Sequence, residues 1–394
     1  MARTLGTVVR GIRTPIMQEG DDLVSVVVEA LKLAWETEGF EIKDRDVIGI
    51  TESVLARSQG NYVTIDDIAD EIREKFHGEV GVVFPILSRN RFAMILKGIA
   101  KGANKVYLLL SYPADEVGNH LMDIERMDEL DIDPYKRVLT EEDLRNLFGS
   151  YKHEFTDVDY VEFYKQQGVN DNITVILAND PREILKYTKN VLTADIHSRA
   201  RTKRLLKKAG AEILYGLDEI CSNPESGTGY NEEYGLLGSN KATDEKLKLF
   251  PRNGQPVVEK IQKRIKELTG KNVEVMIYGD GAFKDPRGKI WELADPVISP
   301  AFTDGLKGIP SEIKLKYFAD NQLSSLKGEE ITRVMKECIK SKGDDLTGKA
   351  ESQGTTPRNL TDLLGSLCDL TSGSGDKGTP VVLVQGYFDN FATE

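Results

Sequence analysis

The stretch Asp46-Val-Ile-Gly-Ile-Thr-Glu-Ser-Val-Leu-Ala-Arg-Ser-Gln-Gly-Asn-Tyr62 says most about the fold of this chain. Residues 47–50 form a short apolar run, which is typical of a strand buried on both faces. The run ends in hydroxyl groups, a guanidinium and a glycine, and such groups at the end of a buried strand suit a bound phosphate or carboxylate. The alternative is a polar connection in which Thr51 or Ser53 caps the following helix.

Composition limits the class of protein. The chain has 394 residues, of which 40% are hydrophobic and 29% charged, as in an ordinary globular protein long enough for two domains. A formal net charge of −12 disfavours nucleic acid as a partner. No apolar run reaches about 18 residues, so no membrane span is expected. The polar N-terminus and three widely spaced cysteines indicate a cytoplasmic protein without a disulfide framework.

Hydrophobic periodicity indicates mixed α and β content, with a middle block that looks like an inserted α/β unit. We expect residues 1–77 to form the N-terminal part of the core, 78–232 the insertion, and 233–394 the C-terminal part. In the core, Val24–Trp35 and Gln255–Thr269 have helical spacing, and Gly270 is the expected C-cap of the second helix.

The inserted block shows its own alternation of strands and helices. Val80–Phe84 and Lys105–Leu110 are predicted strands. Pro181–Val191 and Ala194–Ala209 are predicted helices.

Three polar clusters follow predicted strands: Thr51–Gly60, Gly279–Asp285 and Gln385-Gly386. Ligands of α/β proteins gather outside the carboxyl ends of strands, so a shared site is expected. Asp280 is well placed to bind a divalent cation because flanking glycines let a ligand approach the backbone. A turn aspartate in Gly-Asp-Gly is the alternative.

Asp21 and Asp22 are also candidate ligands of a divalent cation. They directly precede a predicted helix that begins near Leu23. Capping of that helix is the alternative role for this pair.

The order of these segments resembles the coenzyme F420 gamma-glutamyl ligases, which are GTP- and metal-dependent amide-forming enzymes. Glu19–Leu23 resembles their Gly-Asp-Asp-Leu segment, and Ser53–Gly60 resembles their Ser-Lys-Ala-Glu-Gly strand end. Gly238–Asn240 is similar to their Ala-Ser-Asn. Residues 265–280 resemble their helix and Asp-Thr strand end, and residues 375–386 their closing Gly-Asp-Gly-x-Pro-x-Val-Val-x-Arg-Gly.

The chain departs from the family pattern at five positions. Arg57 stands where the family has Lys, Gln59 where it has Glu, and Leu237 where it has a metal-binding Asp. The strand-end carboxylate is shifted by one residue to Asp280, and Gln385 replaces the closing Arg. At least two anionic metal ligands are therefore missing or moved, which weakens a two-metal site.

The resemblance implies a divergent γ-glutamyl ligase that forms an amide between a substrate carboxylate and L-glutamate through an acyl phosphate. It implies an α+β core of mixed sheets that assembles as an intertwined homodimer, with GTP as co-substrate and Mg²⁺ or Mn²⁺ as cofactor. The implied site residues are Arg57 and Asp280 for catalysis, Ser53, Gln59, Gly60, Ser239 and Asn240 for nucleotide and substrate, and Asp280, Asp21 and Asp22 for the metal. Two alternatives stay open: glutamylation of a folate or another acceptor, and a non-catalytic nucleotide- or metabolite-binding protein.

Overall fold

The structure, a computed structural model, describes residues 4–154, 156–280, 297–343, 345–346, 348–352, 358–372 and 376–393. In the predicted cluster Gly279–Asp285, residues 281–285 lie outside the described residues, and so does the side chain of Asp280. The strands are β1 Val8–Ile12, β2 Val47–Thr51, β3 Tyr62–Thr64, β4 Glu79–Val83, β5 Lys105–Leu110, β6 Leu139–Thr140, β7 Ile173–Leu177, β8 Asn190–Thr193, β9 Ile213–Gly216, β10 Ser239–Lys241, β11 Lys246–Leu249, β12 Glu274–Asp280, β13 Val297–Phe302 and β14 Val381–Gln385. The helices are α1 Leu23–Glu38, α2 Glu52–Ser58, α3 Ile65–Phe76, α4 Phe92–Gly102, α5 Ile124–Glu129, α6 Glu141–Phe148, α7 Tyr160–Lys165, α8 Arg199–Lys208, α9 Gly254–Thr269, α10 Leu315–Asp320, α11 Gly328–Ser341 and α12 Leu360–Ser372.

The chain is an α+β protein, as the sequence predicts, and it divides into two compact units. The outer unit comprises Met1–Ser58 and Asn253–Glu394, and the middle unit comprises Gln59–Arg252. These divisions differ from the expected ones at 77/78 and 232/233, because β11 pairs with both β3 and β10 within the middle unit. None of the described helices has the length and apolar character that a membrane crossing requires.

The outer unit is a five-stranded mixed sheet between two helical layers. Its strand order is β1-β14-β2-β12-β13, in which β2 and β12 are parallel and the other neighbours are antiparallel. Helices α1 and α9 pack on one face of the sheet, against Val381 and Leu383 of β14. Helix α12 packs on the other face, against Val382 and Val384 of the same strand. Alternate side chains of one strand thus enter two separate cores, as the two-residue period of a strand requires.

The ends of the two long helices of the outer unit agree with the capping signals in the sequence. Asp22 is the N-cap of α1, where its carboxylate accepts hydrogen bonds from the backbone of Val24 and Ser25. Gly270 ends α9 in the left-handed conformation, with φ of 72°. A side chain would be strained there, so glycine is the favoured residue.

The middle unit contains a six-stranded sheet in the order β6-β7-β5-β4-β8-β9. All neighbours are parallel except β6 and β7. From β4 the chain proceeds to β5 and β7 on one side, and then to β8 and β9 on the other, which is a doubly wound topology. Helices α3 and α4 pack closely because Gly102 has no side chain: a Cβ there would lie 2.4 Å from the carbonyl oxygen of Ala69.

The predicted helix Pro181–Val191 is wrong. Only Pro181–Lys186 forms a short 3₁₀ helix, and strand β8 begins at Asn190. The predicted helix Ala194–Ala209 begins only at Arg199. Strand β8 pairs in parallel with both β4 and β9, and this tertiary pairing outweighs the local helical pattern.

Candidate functional site at the strand ends of the outer unit

Two of the predicted polar clusters meet at one edge of the outer sheet. Strands β2 and β12 are parallel neighbours, and Thr51 lies opposite Tyr278. Helix α2 follows β2 directly, so Ser53 in its first turn and the backbone of Asp280 extend from the same edge. The expectation that strand ends bring these segments together is confirmed for this pair.

Glu52 lies at the end of β2, against Gly279 of β12. The sequence makes it one of several carboxylates suited to a divalent cation, but the family resemblance does not place it among the site residues. Its side chain is buried, and a Cβ at Gly279 would lie 2.3 Å from Glu52 Cγ. Gly279 is therefore needed to make room for a carboxylate. An acidic residue directly after a buried strand, with a glycine at the end of another predicted strand, is the sequence signal that marks this position.

The loop before α1 lies alongside α2. The Gly20 backbone N–H donates to the carbonyl of Ser58 at 2.9 Å, and Arg57 Nε donates to the carbonyl of Met17 at 3.2 Å. Within the described part of the chain, the Nη1 and Nη2 groups of Arg57 make no hydrogen bond or ion pair. The loop thus holds the exposed Arg57 side chain through its Nε group.

The two aspartates of this loop differ. Asp22 accepts hydrogen bonds on both carboxylate oxygens, from the Ser25 hydroxyl at 2.6 Å and from the Val24 and Ser25 backbones. The Ser25 hydroxyl is the largest cause of a lowered pKa for Asp22. Asp21 accepts one bond, from the Gln18 backbone at 2.7 Å, on a single oxygen. The structure thus shows Asp22 in the capping role and leaves Asp21 more available to a cation.

The described residues alone do not form a complete metal centre. Among them, no three acidic, histidine or cysteine side chains come together as ligands. The side chain of Asp280 lies outside the described residues, so its role as a metal ligand stays a prediction.

The glycine-rich segment before β14 reaches the same edge of the sheet. The Thr51 backbone N–H donates to the carbonyl of Pro380 at 3.0 Å, and the Thr14 backbone N–H donates to the carbonyl of Gly378 at 3.3 Å. Three segments that are distant in sequence therefore lie at the end of β2 and along α2: the loop before α1, the end of β12 and the segment before β14.

The third predicted cluster, Gln385-Gly386, is not part of this arrangement. Because β14 runs antiparallel to β2, Gln385 lies beside Asp46 at the opposite edge of the sheet, and the expected shared location is wrong. Gln385 Nε2 donates to Asp46 Oδ2 at 2.6 Å, and its Oε1 accepts from Arg10 Nη1 at 2.6 Å. Burial raises the pKa of Asp46. The neutral Gln385 amide thus links the buried Asp46 carboxylate to the Arg10 guanidinium through hydrogen bonds.

Gln59 and Gly60 lie in the middle unit. The Gln59 amide pairs with both backbone groups of Arg252: Nε2 donates to the carbonyl at 2.6 Å, and Oε1 accepts from the N–H at 2.9 Å. Gly60 adopts a φ of 61°, in the left-handed region. The role of both residues in ligand binding stays a prediction.

Ser239 and Asn240 belong to strand β10 of the middle unit. The buried Ser239 hydroxyl donates to the carbonyl of Leu236 at 2.6 Å, and Asn240 Oδ1 accepts from the Lys241 backbone at 2.9 Å. Leu237 is buried, as its apolar side chain requires. Ligand binding by Ser239 and Asn240 likewise stays a prediction.

A mixed sheet with four polar segments at one edge defines an α+β protein with a candidate small-molecule site. The family model of the F420-0:Gamma-glutamyl ligases matches residues 11–386, and the chain belongs to this family. A curated relative, the Coenzyme F420:L-glutamate ligase of Methanocaldococcus jannaschii, is 25% identical over 226 residues. The matched region covers 57% of this chain and 64% of that protein, which is less than two thirds of the relative's length.

Proposed function

We propose that this protein is a γ-glutamyl ligase that uses GTP to join a substrate carboxylate to the amino group of L-glutamate. Family membership over residues 11–386 supports the reaction class. The observation that carries the proposal is the meeting of the β2 and β12 ends beside Arg57 and the loop containing Asp21. Cytoplasmic location and a homodimer complete the proposal.

The reaction has two chemical steps. A carboxylate oxygen of the substrate attacks the terminal phosphorus of GTP, GDP leaves, and an acyl phosphate forms. The neutral amine of glutamate then attacks the acyl carbon, loses its proton, and displaces phosphate to give the amide. Arg57 would bind the transferred phosphoryl group through both Nη groups, and the Ser53 hydroxyl would donate a hydrogen bond to it.

A divalent ion, Mg²⁺ or Mn²⁺, would neutralise phosphate charge in this proposal. Asp280 and Asp21 are the residues proposed to hold it, with Glu52 as a nearby carboxylate. Asp22 would contribute through the cap that positions the loop. Gln59, Gly60, Ser239 and Asn240 are proposed to contact nucleotide or substrate, as the resemblance implies.

The test is a ligation assay with the full-length protein, GTP, L-glutamate, F420-0 and either Mg²⁺ or Mn²⁺. We expect phosphate release that depends on both F420-0 and L-glutamate. We also expect a product that is heavier than F420-0 by one glutamyl residue. Arg57→Ala should lower kcat/KM by about 100-fold, the scale of losing a donor to transition-state charge. Lys263→Ala, which removes an exposed cation of α9, is the matched control and should have no effect.

Other outcomes separate the alternatives. Turnover with a folate in place of F420-0 would favour a different acceptor. Nucleotide binding without turnover would favour a non-catalytic binding protein. Absence of turnover with any carboxylate acceptor, together with unchanged nucleotide binding in Asp280→Ala, would overturn the proposal.

A further inference from the structure

The buried phenol of Tyr278 connects the central sheet of the outer unit to the end of helix α12. Tyr278 lies in β12 directly before Gly279, and it is 1% exposed. Its hydroxyl donates a hydrogen bond to the Ser372 hydroxyl at 2.9 Å. Ser372 is the last residue of α12 and is also buried. The end of this helix is therefore held at a defined place on β12.

The contacts continue from Ser372 to the segment before β14. The Ser372 hydroxyl donates to the carbonyl of Asp369 at 3.3 Å, and the Ser372 carbonyl accepts from the Thr379 hydroxyl at 3.2 Å. On its other side Thr379 lies against β1, because a Cβ at Gly11 would be 3.0 Å from Thr379 Cβ. Thr379 is thus held between the end of α12 and the edge strand of the sheet.

These contacts return to β2 beside the point where they began. Pro380 follows Thr379, and its carbonyl accepts from the Thr51 backbone N–H at 3.0 Å. Thr51 lies opposite Tyr278 in the parallel pairing of β2 with β12. The residues Tyr278, Ser372, Thr379, Pro380 and Thr51 therefore form a closed ring of contacts.

The packing and the sheet are also unusual around the phenol. A Cβ at Gly49 of β2 would lie 2.5 Å from Cys368 Sγ and 3.4 Å from Tyr278 Cδ1, so this glycine lets α12 approach β2 closely beside the phenol. The pairing of β12 with β13 shifts register between Ile277 and Gly279, on either side of Tyr278. Such bulges are over-represented next to active sites.

We propose that Tyr278 is a positioning residue for the ligase reaction, and this inference rests on the proposed function. Through the ring of contacts its hydroxyl fixes Thr51, from which α2 begins. Helix α2 carries Ser53 and Arg57, the two groups proposed to contact the transferred phosphoryl group. Tyr278 itself touches no reactant. Because a displacement of about 1 Å in such groups slows the chemical step strongly, its loss acts on kcat more than on KM.

The first test is kinetic. Tyr278→Phe removes the hydroxyl and keeps the ring. In the ligation assay it should lower kcat about tenfold and change KM for GTP by less than about threefold. Ser372→Ala removes the same hydrogen bond from its other end and should have the same effect. The double variant should be no slower than either single variant, because both substitutions interrupt one contact.

Tyr112→Phe is the matched control. Tyr112 is also 1% exposed, and its hydroxyl donates to the carbonyl of Arg137 at 2.5 Å within the middle unit. The variant loses a buried phenol hydroxyl and its hydrogen bond, as Tyr278→Phe does. We expect the two variants to lower Tm by similar amounts and only Tyr278→Phe to lower kcat. This comparison separates positioning from a loss of stability.

A second measurement does not require ligase activity. Hydrogen–deuterium exchange of the peptide spanning residues 47–58 includes the Thr51 N–H that is bonded to Pro380. Its exchange should be faster in Tyr278→Phe and Ser372→Ala and unchanged in Tyr112→Phe. If the unaltered protein showed no ligation, the proposed function would fail, and the exchange rates alone would decide whether Tyr278 holds the start of α2.

Two results would overturn the proposal. One is that Tyr278→Phe and Ser372→Ala both leave kcat and the exchange of residues 47–58 unchanged. The other is that Tyr112→Phe lowers kcat as much as Tyr278→Phe does. A fall in kcat and faster exchange in the first two variants, both absent from the control, support it. If Tyr278→Phe failed to fold, Ser372→Ala would decide by the same criteria.

Discussion

Asp46 in the outer unit and Asp195 in the middle unit are both buried carboxylates beside a strand, and burial raises the pKa of both. They differ in their partners. Asp46 Oδ2 accepts from the Lys43 backbone and from the Gln385 amide. Asp195 Oδ1 is buried and no described residue donates to it, and the charge of Glu116 adds to the rise of its pKa. An acid also lies near Asp46, since the charge of Asp389 adds to the rise of the Asp46 pKa. Burial with a raised pKa therefore does not by itself identify a binding site.

The largest expected effect is the pH dependence that Asp195 gives to stability. Its pKa in the folded protein is about 6, against an ordinary value of 3.8, so the folded state binds this proton more tightly than the unfolded state. The contribution of Asp195 to the free energy of unfolding should therefore fall by about 3 kcal/mol as pH rises from about 4 to 6, and stay lost above that. Urea unfolding of the unaltered protein and of Asp195→Asn at several pH values measures this difference.

The contributions of other titrating groups are the same in the unaltered protein and in Asp195→Asn, so they cancel when the two stability curves are compared. Asp195→Asn should lack the Asp195 component. Parallel stability curves for the two proteins from pH 4 to 7 would contradict the assignment of the effect to Asp195.

The next prediction tests the hydrogen bond between Gln385 and the buried Asp46 carboxylate. Gln385→Ala removes the amide that donates to Asp46 and the oxygen that accepts from Arg10. We expect a loss of about 2 kcal/mol at pH 7, because a buried acid and a guanidinium each lose a partner. The loss should shrink at pH 4, where Asp46 is more often protonated. Urea unfolding at both pH values is the measurement.

A double variant sharpens this prediction. In Gln385→Ala combined with Asp46→Asn, the combined loss should be smaller than the sum of the single losses, because the two side chains interact directly. Additive losses would show that the Gln385–Asp46 hydrogen bond contributes little.

The smallest effect concerns Asp22, an exposed carboxylate whose hydrogen bonds are made within its own helix turn. Asp22→Ala should lower stability by about 1 kcal/mol, and Asp22→Asn by less than about 0.5 kcal/mol, because asparagine is also a good N-cap. Thermal unfolding measures both. If Asp22→Asn folded normally but abolished metal-dependent ligation, Asp22 would be a metal ligand as well as a cap.

Much of the outer unit could be predicted from sequence. The periodicity of α1 and α9, the Asp22 cap and the Gly270 C-cap are local properties, because a helix makes its hydrogen bonds between residues close in sequence. The buried strand β2 was also predicted from its apolar run. Strand β8 was not, since its pairing with β4 and β9 involves residues that are distant along the chain.

The candidate site residues show the same division between what local sequence predicts and what the pairing of distant strands decides. The sequence marked Ser53, Arg57 and Asp280 as strand-end residues, and the parallel pairing of β2 with β12 brings their segments to one edge. It grouped Gln385 with them, because strand direction cannot be read from an apolar run, and antiparallel pairing places Gln385 at the other edge. Glu116 and Asp195 are 79 positions apart and follow different strands, so no local pattern connects them.

By itself, then, the sequence determined the class of fold, the family, the long helices and their caps, because periodicity, capping and motif order are written along the chain. Only the tertiary structure decided which strand ends share an edge, which carboxylates are satisfied, and where two acids come together. Those properties depend on strand direction and burial, which arise when distant segments pack.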